Sequence, residues 1–126
     1  MLTNSSLLKE HGYVNGKWVG DDAESRFDVK NAYTNEVIST LPEMGKKETD
    51  EAINAANEAW PDWRSRTAKE RAIILKKWFD LIMENQEDLA ILMTAEQGKP
   101  LAEARGEVGY GASFIEWFAE EGKRTY

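Results

Sequence analysis

Three features of the sequence have residue types that could do chemistry. Glu120 and Glu121 are adjacent carboxylates, His11 is an imidazole, and GEVGYG at Gly106–Gly111 superficially resembles a glycine-rich phosphate loop. A carboxylate pair works as acid and base only when its surroundings push the two pKa values apart. Glu120 and Glu121 fall on the charged end of a helical pattern, where a solvated face or an ion pair with a neighbour is the ordinary role. His11 is the only histidine and lies in a leader segment, which makes it a surface residue before it is a base. GEVGYG follows no strand and sits inside a helical pattern, so the dinucleotide fingerprint fails on context. Its glycines read instead as allowing close helix packing.

Composition narrows the chemistry further. The chain has 126 residues and no cysteine, which removes disulfides, thiolate metal sites and a cysteine nucleophile from these residues. One histidine cannot build a His-rich metal cluster. Sixteen basic against 23 acidic residues leave a net charge of −7. That balance speaks against nucleic acid or an anionic membrane as partner, because phosphate binding needs a basic face. No apolar run reaches the length of a signal peptide or a membrane span. The expectation is a soluble cytoplasmic chain.

The elements follow from local pattern. Residues 1–11 read as a leader anchored by little beyond Leu7 and Leu8. Asn15-Gly16 between Tyr13-Val14 and Trp18-Val19 predicts a tight hairpin, since both turn positions accept positive φ. Phe27 and Val29 alternate with charges, and a turn at Thr34-Asn35 leads into Val37, Ile38 and Leu41, so residues 12–42 form a small antiparallel β unit. From Gly45 the period becomes helical. A first helix runs over Lys47–Ala59 with Ile53, Ala56 and Trp60 on one side, and Pro61 stops it. Thr67–Glu70, TAKE, is a capping box opening a helix to about Asn85. That helix is apolar over more than half its circumference and wants neighbours on two sides. A third covers Gln86–Gln97 with Leu89, Leu92 and Met93 inward, closed by Gly98 and restarted at Pro100. The last spans Leu101–Tyr126. One of its faces is Leu101, Ala104, Val108, Gly111 or Ala112, Ile115 and Phe118, and another is Tyr110, Phe114 and Trp117. The residues alone describe a mostly helical chain of about four helices after a β unit, with too much apolar surface for itself and no self-contained active site.

The stretches MTAEQGKPLAEA and ASFIEWFAEEGKR, with NGKWV, FDVKNAYTNEVI and TAKERAIILKKWFDLIMENQEDLAIL, resemble the N-terminal part of the aldehyde dehydrogenases. The second stretch is typical of the bacterial succinate-semialdehyde branch, and the resemblance covers nearly all of the chain after the leader. The family usually reads asparagine-proline where this chain has Asn31-Ala32, which is expected to loosen a local turn. What the resemblance implies is an α/β parent enzyme in which residues 12–126 are the N-terminal portion. Its cysteine nucleophile, general base and nucleotide-binding domain lie downstream, so neither catalytic nor cofactor-binding residues are expected in this chain.

The same resemblance implies a parent that oxidises succinate semialdehyde to succinate with NADP or NAD, and an inactive fragment. It places Tyr110, Phe114 and Trp117 on the wall of the substrate tunnel, with ordinary interdomain packing as the competing role. It also implies a monovalent cation site using the Glu96 carboxylate and a backbone carbonyl near Lys30, against the plainer reading that Glu96 caps its helix or pairs near Lys99. Expected partners are the remainder of the enzyme or other copies of the chain, in a homo-oligomer. Trp78, Phe79, Ile82 and Phe118 are expected to be covered by them. The alternative is a stand-alone helical interaction or oligomerisation module.

Overall fold

The computed structural model describes residues 2–124. A short 3-10 turn at Ser5–Leu7 precedes β1 (Gly12–Val14), β2 (Lys17–Val19), β3 (Arg26–Lys30) and β4 (Val37–Pro42). Four helices follow: α1 (Lys46–Ser65), α2 (Ala68–Glu84), α3 (Gln86–Gln97) and α4 (Leu101–Glu121). The helix expected to reach Tyr126 is described as far as Glu121, and residues 125 and 126 lie outside the described residues.

The β unit is two separate antiparallel ribbons, β1–β2 and β3–β4. Asn15 and Gly16 take φ of 49° and 77°, the double left-handed turn whose twist matches paired strands. Gly20, at φ 108°, lies so close to Pro42 that an added Cβ would come within 2.4 Å of its Cγ. The Asn31-Ala32 turn is not loosened by the missing proline. Asn31 Oδ1 accepts from the amides of Tyr33 (2.9 Å) and Thr34 (3.0 Å). Ala32 donates its own amide to Ala95 O at 3.1 Å, a bond that proline could not make.

Pro61 does not stop α1, which continues to Ser65. The lost amide frees the carbonyl of the exposed Asn57, which water can satisfy, and the following turn is held by Arg66 on Asp62 at 2.8 Å. No residue of α1 is buried, and Ile53 and Trp60 on its apolar side are exposed.

α2 begins as TAKE predicts: Glu70 accepts the Thr67 amide at 2.7 Å, and Thr67 Oγ1 accepts the Glu70 amide at 3.3 Å. Gly98 closes α3 in the left-handed region, φ 73°. α4 packs against both α2 and α3. Its buried row is Ala104, Val108, Ala112 and Ala119. Ala119, not Phe118, completes that row, and Phe118 is 62% exposed. The small side chains, not the glycines, allow the helices to approach: Gly106 and Gly111 face open space, and a Cβ on Gly109 would meet only the Gln86 amide. The centre of the packing is Ala90, Ala104 and Val108, with Ile82, Leu89, Met93 and Leu101 against it. Arg105 forks onto Glu87 at 2.6 and 2.8 Å to tie α4 to α3.

This core is made of small residues, and no large side chain is fully buried. A compact monomer of this mass exposes about 6,800 Å², whereas this chain exposes 9362 Å². The excess is of the size that obligate interfaces remove from solvent.

The helix termini carry an acid-sensitive set. The Thr67 hydroxyl and then its amide hold Glu70 below the usual carboxylate range. Glu48 is held down by its own amide and that of Gly45, and Glu87 by Arg105. A carboxyl whose folded pKa is depressed stabilises fully above the unfolded value and loses that contribution as pH falls through the folded one. Helical circular dichroism should therefore decline on acidification between about pH 5 and about pH 2. Glu70→Gln should remove part of the decline, and an unchanged helical signal down to the lower limit would contradict the assignment.

Candidate functional site

α4 separates two kinds of surface by its spacing. The alanine row points at α2 and α3, and Tyr110, Phe114 and Trp117, spaced four and three residues apart, share the opposite face. The Tyr110 and Phe114 rings meet edge to face, with centroids 4.9 Å apart at 78°. Tyr110 is 67%, Phe114 47% and Trp117 61% exposed. With Ser113, Phe118 and Arg124 they line an open recess of about 780 Å³. Every lining residue belongs to α4 or the three residues that follow it, so no second element among the described residues faces the recess.

The charged groups around it are committed to ion pairs. Glu116 faces Lys76 of α2 at 3.4 Å, Glu120 faces Lys123 at 2.8 Å and Glu121 faces Arg124 at 3.5 Å. Lys123 holds the Glu120 carboxyl below its usual range, the opposite of what a general acid at neutral pH needs. The adjacent carboxylates are thus surface ion-pair partners, as read from the sequence. Arg124 lines the recess with the aromatic row and is the partner of Glu121.

The remaining candidates lie elsewhere. His11 Nε2 sits 2.7 Å from Asp21 Oδ1 beside the β1–β2 hairpin, in a recess lined by Leu8, Lys9 and Trp18. GEVGYG is the interior of α4 and forms no loop. The glycine-rich stretch presents no free amides and so forms no phosphate cradle. Glu96 is exposed in the last turn of α3, next to the Ala95 carbonyl that holds the β3–β4 turn. Lys99 pairs with Glu107. Among the described residues no group of three or more His, Cys, Asp or Glu side chains could by itself hold a metal ion.

Two residues that the sequence did not single out organise the N-terminal end. The leader is well anchored: Asp88, 6% exposed, accepts the amides of Thr3 at 2.9 Å and Asn4 at 2.7 Å. Arg26 donates to three carbonyls, Gly20 at 3.1 Å, Glu10 at 3.0 Å and Thr40 at 2.9 Å. Neither bond set has a local sequence signal, because the partners are far apart along the chain. Of the four residues expected to need cover, Phe79 and Ile82 are already half-buried here, Ile82 against the alanine core, while Trp78 and Phe118 are exposed.

A model of the aldehyde dehydrogenase family matches residues 18–126, and the chain belongs to that family. It is 56% identical to glutarate-semialdehyde dehydrogenase of Pseudomonas putida over 99% of its length. It is 55% identical to the NADP(+) succinate-semialdehyde dehydrogenase of Escherichia coli K12, also over 99%. The crystal structure of succinate-semialdehyde dehydrogenase from Burkholderia pseudomallei superposes with a TM-score of 0.95 at 54% identity, covering 99% of this chain and 26% of that one. The chain spans about a quarter of the length of the curated relatives it matches. No helix among the described residues is long and apolar enough to cross a membrane.

Proposed function

We propose that this chain forms the N-terminal part of an NAD(P)-dependent dehydrogenase that oxidises a dicarboxylic semialdehyde, succinate semialdehyde first and its glutarate homologue second, to the acid. The carrying observation is the identity of about 55% to enzymes named for those two substrates, spread over the whole chain. A nicotinamide cofactor bound by the rest of the polypeptide accepts the hydride. These residues contribute no nucleophile and no cofactor ligand. Their contribution is a wall. Tyr110, Phe114 and Trp117 present apolar area to the methylene chain of the substrate and keep water from it. The carboxylate end of the substrate is held by other parts of the enzyme, since Arg124 is already paired.

Supporting roles follow from the same reading. Glu96 and a backbone carbonyl near Lys30 would hold a monovalent cation through hard oxygen ligands, beside the turn that Ala32 fastens to α3. The exposed faces of α2 and α4 are covered by the remainder of the enzyme and by other copies in a homo-oligomer, in the cytoplasm. A stand-alone interaction module would present the same apolar surface, but it gives no reason for the high identity to enzymes of one substrate class.

The test is made in the complete polypeptide carrying these residues. Trp117→Ala and Phe114→Ala should each raise KM for succinate semialdehyde about tenfold, the loss expected when a large apolar contact is removed, with little change in Tm. A fall in Tm with unchanged KM would assign the row to interdomain packing.

A further inference from the structure

We propose that residues 2–11 are a strap that locks the β ribbons onto the helices, with the Asp88 carboxylate as its clasp. Asp88 is the one buried charged side chain among the described residues. A carboxylate out of water is costly unless it is hydrogen-bonded or paired. No cation meets it among the described residues. Its compensation is the pair of amides from Thr3 and Asn4, 85 and 84 residues away in sequence, together with its place in the first turn of α3. With the strap closed the charge is satisfied; with the strap released Asp88 must be wetted instead.

The strap is shaped at each step toward that end. Asn4 Oδ1 accepts the Ser6 amide at 3.1 Å and so starts the Ser5–Leu7 turn. Leu7 and Leu8 are half-buried. The Glu10 carbonyl then accepts a hydrogen bond from Arg26, whose guanidinium also grips the β2–β3 loop at Gly20 and strand β4 at Thr40. His11 ends the run on Asp21 at 2.7 Å. One end of the segment is therefore fixed to α3 and the other to both ribbons. Among the described residues the other hydrogen bond between ribbons and helices is Ala32 to Ala95. Asp88 is a positioning residue: it acts on the angle between the two parts and not on any substrate.

Amide hydrogen exchange in the complete polypeptide tests this, independently of the semialdehyde reading. Asp88→Ala should speed exchange at Thr3 and Asn4 by about tenfold to a hundredfold, as expected for hydrogen bonds to a charged acceptor. Exchange at Ala32 should rise with it, while Ala104 and Val108 in α4 stay protected. Thr3→Pro removes one donor without touching the core, and should speed Asn4 about tenfold; it decides the matter alone if Asp88→Ala does not fold. Unchanged Asn4 exchange overturns the proposal. So does α4 opening in step with Asn4, which would make Asp88 an ordinary core residue.

Discussion

Given NADP or NAD and succinate semialdehyde, these 126 residues by themselves should oxidise no aldehyde above the uncatalysed rate. An enzyme of this kind gains at least about 10⁶-fold over solution, and the proposed division of labour puts the groups that supply that factor outside these residues. There is no cysteine to make a thiolate. The single imidazole is held against Asp21 away from the aromatic recess. The carboxylates beside that recess are exposed or half-buried and tied to Lys76, Lys123 and Arg124. The assay is the appearance of reduced cofactor with the purified chain in large excess over any background activity. A rate proportional to chain concentration, kept through further purification, would refute the division of labour proposed above.

The same 126 residues should not remain monomeric. Trp18, Trp60, Trp78 and Trp117 are all more than half or half exposed, and the packed centre holds no large side chain. The surface is larger than that of a compact globule of this mass by over a third. Exposed apolar patches of this extent mark interfaces or drive association. Light scattering at high concentration should therefore report a mass well above that of one chain. Trp78→Lys combined with Phe118→Lys should weaken association by about a hundredfold or more, since each ring forfeits roughly 1.5–3 kcal/mol of burial. A single monomeric species at millimolar concentration would mean that the apolar faces find cover within the chain.

The two expectations have one origin. α4 buries an alanine row on one face and exposes an aromatic row on the other. The proposed semialdehyde tunnel gives the aromatic row a use.

What the sequence determined by itself was local. The Asn15-Gly16 turn, the Thr67–Glu70 capping box, the bounds of α3 and the left-handed Gly98 were all legible, because each is fixed by φ preferences and hydrogen bonds within a few residues. Cysteine content settled equally directly which covalent chemistry these residues lack. The tertiary structure decided everything that depends on partners distant in sequence. It chose Ala119 over Phe118 for the buried row, carried α1 through Pro61, turned the Ala32 amide toward Ala95, and tied the leader to Asp88. The reason is physical. A helix pattern states which side chains share a face, but only the elements packed against it set which face loses its water, and a carboxylate shows no sign in sequence of the amides that will meet it more than eighty residues away.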